Sequence, residues 1–477
     1  NGQTLATPLT TTDTYDPAGN KATETLPNGV VTSWTDDDLN RLISMSEMLG
    51  TTTLFSQSFT LNDDGTRALS HQTQLQPDGS TITTDTTWSN DALGRLTQEV
   101  LTNDNDAGQS YTDTFKYDLV GNRLRSVHAG PGNGADETID NTYNGDDQLT
   151  KEVSTLSGET DLAYDPNGSL TTSTNGSSVT AYGYSVRNKM VSATVNGVTT
   201  TYVYDDAGNR VGETTGGVTT FYLTDDHNPT GYAQPIEQKA SATAPPSVTY
   251  VIGDHVLAQV DASGNVSYLL TDGHGSTRAL TNAAGAVTQT FNYTAFGGAL
   301  GFNPSAAGTI SDSTVFLFGG DAVYDPASGL YLNGDGTRDR LPGAGGFIEA
   351  DPPGWSNNQD PVSLHRYLYA NAAPIDGYDP SGHEDLNTQS TMGYIEAKFN
   401  SFRIAALRFG SVYARRMLAG LTLVQSLASR AVDKGYEILA WEQRLQDSAF
   451  TFVGRFRVDL FLQKVNDSGE EVNTLVE

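Results

Sequence analysis

The chain contains no cysteine and only seven histidines, so the side chains able to do chemistry are chiefly its 57 aspartates and glutamates. Without Cys, disulfide scaffolds, thiol nucleophiles and thiolate metal sites are excluded. His274, in Asp272-Gly-His-Gly-Ser276, has no second histidine at ligand spacing and reads as a structural turn residue. Gly273-His-Gly275 lacks the lysine and the following helix of a phosphate loop. Carboxylate chemistry is what is left. Two carboxyl groups a few ångströms apart cannot both ionise, so one stays a general acid while the other activates water. A carboxylate pair can instead hold a divalent cation. Which pairs meet depends on the elements that carry them.

Composition narrows those elements. Against 57 acidic residues stand 27 Lys and Arg, a formal charge of −30, so the chain as a whole repels a polyphosphate and is not a nucleic-acid binder. No apolar run reaches the roughly 18 residues of a membrane-spanning helix. The 22 Tyr and 17 Phe argue for a packed chain rather than disorder. The length suits two or three domains or one long repeat array. The charge is unevenly placed. Up to His383 there are 16 basic and 45 acidic residues, a balance of −29; from Glu384 onward there are 11 and 12, a balance of −1. Glycine falls from 43 to 6 across the same point, which marks two modules. Asn1 is not an initiator Met and no signal-peptide pattern follows it, so the chain is expected to begin inside a longer protein.

The acidic part repeats. Tyr15-Asp-Pro-Ala-Gly-Asn20, Tyr117-Asp-Leu-Val-Gly-Asn-Arg123, Tyr164-Asp-Pro-Asn-Gly168 and Tyr204-Asp-Asp-Ala-Gly-Asn-Arg210 are copies of one word. Degenerate copies stand at Asp37–Leu42, Asn90–Leu96, Tyr143–Leu149 and Tyr184–Asn188. The steps 144→165→185→205 give a period near 20 residues, the mark of a repeat array. Runs such as Val198-Thr-Thr-Thr-Tyr-Val-Tyr204 favour a pleated, half-buried surface. Asp-x-x-Gly-Asn is turn chemistry. Each unit is therefore expected to be strand, tight turn, strand, and adjacent hairpins must pair into a long, twisting sheet. The unit resembles the YD (Rhs-type) repeat of polymorphic toxins and teneurin-like proteins over about 15–210, with Tyr and Asp as scaffold residues rather than catalysts.

Lys239-Ala-Ser-Ala-Thr-Ala-Pro-Pro-Ser247 has linker composition. Beyond it come Tyr268–Arg278, Phe291–Gly297, Tyr324-Asp-Pro-Ala-Ser-Gly-Leu-Tyr331, Phe347-Ile-Glu-Ala-Asp-Pro352, Tyr367–Pro374 and Tyr378-Asp-Pro-Ser-Gly-His383. In that order the words resemble the Rhs repeat-associated core domain over roughly 250–383. The resemblance implies a hollow shell made by the repeat sheet, a core segment that curls inward as a plug, and an enclosed variable C-terminal effector. It also implies self-cleavage by two aspartates after the closing word. Carried over, these are Asp325 and Asp339, with Arg338 as the nearest cation and His383–Glu384 as the scissile bond. The sequence departs from the family pattern in three places. Asn333–Arg340 replaces the aromatic run and offers Asp335 as a competitor, Pro does not follow Asp339, and His383 stands where Leu is usual.

In the tail the apolar period changes. Ile395, Phe399, Phe402, Ala406, Phe409, Tyr413, Met417 and Leu421 predict an amphipathic helix, and a second is expected around 436–445. Arg403, Arg408, Arg415, Arg416 and Arg430 read as a solvated face. From Phe450 the pattern is that of strands, with Asn466-Asp-Ser-Gly469 as a hairpin turn and 472–476 as the return strand. Asp459 and Glu477 resemble the first carboxylates of a PD-(D/E)xK nuclease, which implies Mg²⁺ held by that pair.

The expected architecture is therefore mainly β: YD repeats over 1–238, a linker at 239–247, a core plug at 248–383 and a smaller α-then-β segment at 384–477. The expected function is a shell that encapsulates and presents its C-terminal segment, released by an aspartyl self-protease. The rivals are a cell-surface adhesion or carbohydrate-binding β-array without toxin, and a C-terminal nuclease. No cofactor is expected apart from Mg²⁺ in the nuclease reading. Expected partners are the chain's own cargo, a secretion apparatus or upstream shell half and an immunity protein, with nucleic acid only for the tail. The expected location is secreted or at the cell surface.

Overall fold

The structure is a computed structural model. It describes residues 9–383 apart from 131–135, 229, 231, 305–312, 321, 335 and 353–363, and beyond them the backbone of Leu386–Asn387, Glu437–Ala440, Leu460–Val465 and Glu471–Val476. The chain divides into two units, Asn1–Ser390 and Thr391–Glu477.

Among the described residues of the first unit, 25 strands from Thr12–Tyr15 to Val287–Thr290 form one antiparallel sheet. Each strand pairs with the next, from Lys21–Thr25 on Val30–Asp36 through to Thr277–Thr281 on Val287–Thr290. In such a meander alternate turns fall on opposite rims, so all the Tyr-Asp words lie along one rim.

Each word builds its own turn. Asp118 Oδ1 accepts from the backbone N–H of Val120, Gly121 and Asn122 at 3.0, 2.9 and 2.9 Å, and its Oδ2 accepts from Asn122 Nδ2 at 2.9 Å. The third residue after the aspartate position takes positive φ, 110° at Gly121. Where the degenerate words have lost that glycine, Asn40, Asp147 and Asn188 hold φ of 56°, 60° and 58°. These are side chains that tolerate the left-handed region. The word's last Asn also reaches its neighbour: Asn20 Nδ2 donates to Asn40 Oδ1, and Asn122 Nδ2 to Asp147 Oδ1, both at 2.8 Å. The tyrosine sits at a register shift in hairpin after hairpin, at Tyr15, Tyr143, Tyr164, Tyr184 and Tyr204. A bulge adds twist and bends the strand, so the repeat carries curvature as well as pairing.

The bends accumulate until the sheet meets itself. Laid flat, strands Lys21–Thr25 and Pro246–Ile252 would stand about 90 Å apart at the usual inter-strand spacing. Instead Lys21 Nζ lies 2.9 Å from Asp254 Oδ2, Asn28 Nδ2 donates to Thr281 Oγ1 at 3.1 Å, and Gln74 Nε2 donates to the Arg278 carbonyl at 2.7 Å. The last strands are covered on both faces. Leu270 and Ala279 pack with Leu26, Val30 and Leu54 of the first strands, while Leu269 and Leu280 pack with Phe316, Val323 and Tyr331 of the segment that follows. Burial on both faces explains why Tyr268-Leu-Leu270 is a continuous apolar run where earlier strands alternate.

Residues 291–383 form the plug. Its three-stranded sheet, Val323–Asp325, Leu330–Asn333 and Arg338–Arg340, is buried at every strand position. Each fully buried aromatic or aliphatic side chain there contributes roughly 1.5–3 kcal/mol. The backbone docks on the repeat sheet directly: Leu170 N–H donates to the Ile348 carbonyl at 2.9 Å, and Ala350 N–H to the Gly168 carbonyl at 3.1 Å.

Three local expectations differ from the structure. The strands from Pro246–Ile252 to Val287–Thr290, expected within the core plug, continue the repeat sheet because each finds its partner in the preceding strand. Lys239–Ser247 is a hairpin rather than a linker: Lys239 pairs with Pro246 and the sheet runs through without a break. Pairing decides here, since the flanking strands supply partners that the Ala/Ser/Pro composition alone does not reveal. In the second unit, Glu437–Ala440 is a strand paired with Leu460–Val465, where a helix was expected around 436–445. A short segment with an available strand edge takes extended structure whatever its local period. Leu460–Val465 pairs in turn with Glu471–Val476, the expected hairpin. The stripe from Ile395 to Leu421 and the five arginines of the tail lie outside the described residues.

Candidate functional site

The plug's small sheet sets the geometry of the acidic candidates. Asp325 pairs with Leu330, and Leu332 lies between Val323 and Asp339, so Asp325 and Asp339 project from one face of the outer strands. Both are buried, at 1% and 2% exposure. Asp325 Oδ2 accepts from Tyr202 OH and Ser328 Oγ, each at 2.6 Å, with Arg210 Nη1 at 3.6 Å. Tyr202 and Arg210 belong to the repeat sheet, so shell and plug complete this environment together.

Asp339 has a different neighbour. Its backbone N–H donates to Glu349 Oε2 at 2.8 Å, and Glu349 is itself 3% exposed and accepts from Tyr184 OH at 3.1 Å. Burial holds the Asp339 carboxyl up at about 7, against the pull of Arg210 and Lys189. Burial, then the Asp339 charge, pushes Glu349 well above the usual range. No hydrogen bond joins Asp325 to Asp339 among the described residues. Sequence reasoning missed Glu349, whose only signal was its place in Phe347-Ile-Glu-Ala-Asp-Pro352, and missed the sheet residues Tyr202, Arg210 and Tyr184.

Arg338 lies next to Asp339 in sequence but faces the other way. It does not hold Asp325 or Asp339; it clamps the closing word. Its Nε donates to the Gly382 carbonyl, its Nη2 to Asp379 Oδ2 at 3.1 Å, and its guanidinium stacks 3.7 Å over Phe347. Strand alternation is the reason, since adjacent residues point to opposite faces. The closing word is further pinned by Asn333 Nδ2 on the Asp379 carbonyl at 2.5 Å and by Gly334 N–H on the Pro380 carbonyl at 2.9 Å. His383 donates its N–H to Asp379 Oδ1 at 3.1 Å and sets Nδ1 2.6 Å from Asp351 Oδ1. Burial raises the Asp379 carboxyl although Arg338 opposes it. Glu384, Asp335, Asp459 and Glu477 lie outside the described residues, so the scissile bond is placed only up to His383 and the Mg²⁺ pair is not placed.

His274 makes ring contacts to Phe318 and Tyr378, and neither ring nitrogen has a hydrogen-bond partner. Burial, and then Arg67, lower it to about 4, so the ring is a neutral packing element. Two groups have metal-ligand geometry among the described residues, Glu24/Asp254/His255 and Asp225/Asp226/His227. In the first, Lys21 Nζ stands 2.6 Å from Glu24 and 2.9 Å from Asp254, so an internal cation already serves it. A cavity of about 450 Å³ between sheet and plug has a largely polar lining that includes Gln57, Gln72, Glu99, Asp272, His274 and Asn292. Among the described residues no helix is long and apolar enough to cross a membrane.

The family model described as Teneurin YD-shell matches residues 20–374. The fold is similar to three crystal structures. That of TcdB2-TccC3-TEV is 17% identical, with 80% of this chain and 19% of that chain covered at a TM-score of 0.60. That of TcdB2-TccC3-Cdc42 is 16% identical, with 82% and 20% covered at 0.53. That of TcdB2-TccC3 without its hypervariable C-terminal region is 15% identical, with 78% and 19% covered at 0.51. The chain thus spans about a fifth of the length of those chains, and at these identities the likeness is one of fold. No curated relative matches the sequence.

Proposed function

This chain belongs to the Teneurin YD-shell family, and from that premise we propose that it is an encapsulating shell whose plug presents the segment after His383 as cargo. The observation that carries this reading is the double covering of the last strands, Leu270 against the first strands and Leu269 against the plug. A sheet that closes on itself and buries the continuation of its own chain makes a container rather than an open adhesive array. The hypervariable C-terminal region of TcdB2-TccC3 supports the same assignment. Limited proteolysis of the intact chain tests it. Residues 384–477 are expected to resist digestion until the shell is unfolded by urea; digestion of the tail at the rate of a free peptide overturns the reading.

Release by self-cleavage at His383–Glu384 is the finer part of the proposal. It is favoured by the buried carboxyl groups of Asp325, Asp339 and Glu349, and by the clamp that Arg338, beside Asp339, places on the closing word. Water adds to the His383 carbonyl carbon and the C–N bond to Glu384 breaks. One ionised carboxyl takes the proton from water, and one protonated carboxyl gives a proton to the leaving nitrogen. SDS gels of the expressed chain and of Asp339→Asn test this step. A full-length band alone in both would remove it.

Secretion or display at the cell surface, an upstream shell half or secretion apparatus as partner, and an immunity protein for the cargo belong to the same proposal. A Mg²⁺-dependent nuclease tail acting through Asp459 and Glu477 is the reading to pursue if the purified tail cuts DNA or RNA only with Mg²⁺.

A further inference from the structure

We propose that the joint where the returning chain docks on the first strands is a pH-responsive latch, closed in mild acid and loosened above neutrality, with Glu47 and Glu99 as its titrating members. Its use in opening the container rests on the shell reading above, while the latch has a readout of its own.

The joint is built from side chains of the early strands that reach the later chain. Glu47 Oε1 accepts from the Thr271 N–H at 3.1 Å, and Gln57 Oε1 from the Gly273 N–H at 3.2 Å. Gln74 Nε2 donates to the Arg278 carbonyl at 2.7 Å, and Gln76 Oε1 accepts from Thr290 Oγ1 at 2.9 Å. Glu99 Oε1 then accepts from the Ala295 N–H at 3.2 Å. From Glu47 to Glu99 the partners therefore advance in order along the returning chain, across the point after Thr290 where it leaves the sheet. Glu47, Gln57, Gln74 and Glu99 are all buried. The glutamines make these bonds with no charge that depends on pH. The two glutamates carry one, and their surroundings oppose it.

Glu47 Oε2 is buried with no hydrogen-bond partner, a setting in which a carboxyl keeps its proton. The charged groups facing Glu47 are Glu24 from the strand Lys21–Thr25 and Asp272 from the turn before Thr277–Thr281. Both are acidic, and the nearby Arg278 is bonded to Asp272 at 2.8 Å. Glu99 also accepts from Trp88 Nε1 and Tyr111 OH, each at 2.8 Å. Asp113 stands opposite Glu99 in register and adds like charge, with His128 paired to Asp113 and Arg278 lying toward Tyr111. Burial outweighs the three donors and holds Glu99 at about 7, and burial raises Glu47 as well. Unseating the joint returns both carboxyls to water. A group raised in the closed form stabilises that form fully below its ordinary value and loses the contribution as pH rises through the raised one. For Glu99 that window runs from 4.5 to about 7, and Glu47 acts in the same direction.

The experiment follows proteinase K cleavage within residues 291–301 of the full chain, located by mass, from about pH 5 to 8.5. The rate at each pH is divided by that of an unstructured peptide, for wild type, Glu47→Gln, Glu99→Gln and the double variant. Glutamine keeps the oxygen that accepts the Thr271 or Ala295 N–H, so the joint still forms. Wild-type cleavage is expected to rise at least about tenfold between pH 5 and 8. Each single variant should rise less, and the double variant by less than about twofold. A wild-type rate that does not change with pH overturns the proposal, as does a double variant with the wild-type slope. If the double variant fails to fold, the single variants decide, and slopes equal to that of wild type overturn the proposal. Digestion of residues 384–477 at the rate of a free peptide at pH 5, where the joint is closed, removes the shell reading and leaves the latch standing.

Discussion

In each Tyr-Asp word the aspartate accepts from the backbone of the residues that follow it, and the repeat depends on those bonds more than on the charge. Asp118 takes three N–H groups on one oxygen and an amide on the other. Asp118→Ala should lower stability by about 1–3 kcal/mol, seen as a lower urea midpoint. Asp118→Asn keeps the oxygen that receives the three N–H groups, so it should lose less than half as much. An alanine variant as stable as wild type would remove the scaffold role. Arg338 shows the limit of reasoning at this scale. Its sequence neighbour Asp339 suggested a catalytic cation, yet one step along a strand turns it to the closing word.

At the scale of elements, curvature is made hairpin by hairpin and the plug is held by close backbone approach. Gly168 sits at both features. Its φ is +89°, and a Cβ there would stand 2.5 Å from Tyr367 Oη and 2.7 Å from Ala350 Cβ. Gly19 has the same turn role, with φ of +93°, but open space around it. Gly19→Ala should therefore lose only the backbone term, about 1 kcal/mol, and leave the plug seated. Gly168→Ala must also push Tyr367 and Ala350 away. It should cost at least twice as much and open the plug segment to protease. Equal stability and equal digestion of the two variants would show that the approach at Gly168 does not hold the plug.

For the whole shell, the buried acids set a pH dependence opposite in sign to that of the rim. Burial raises Glu99 to about 7, and Glu47 and Glu349 are raised as well. A group raised on folding stabilises fully below its unfolded value and loses that contribution as pH rises through the folded one. From about pH 4.5 to 7 Glu99 should remove up to about 1.4 kcal/mol per pH unit, and Glu47 and Glu349 act in the same direction. The turn aspartates Asp64, Asp91 and Asp261 are lowered by the hydrogen bonds they accept, so their contribution is lost only as pH falls below the ordinary carboxylate range. The urea midpoint is expected to peak near pH 4.5–5, decline toward pH 7 and fall sharply in stronger acid. Glu99→Gln should flatten part of the neutral decline. A midpoint that rises from pH 5 to 8 would contradict the burial of these acids.

The sequence alone determined the repeat, its hairpin unit and the mainly β class, because the turn word and the β-branched runs act through neighbours in the chain. Even the degenerate words were legible, since Asn40, Asp147 and Asn188 fill the left-handed position that glycine vacates. The order of core words placed the start of the core at 248, whereas the strands up to Val287–Thr290 continue the repeat sheet and only the residues from 291 leave it. Only the tertiary structure decided which groups meet across it. That Lys21 reaches Asp254, that Lys239–Ser247 is a turn within the sheet, and that Asp339 faces Glu349 all follow from summed curvature and from strand facing. Small bends repeated over some twenty strands fix those contacts, and no local spacing encodes the sum.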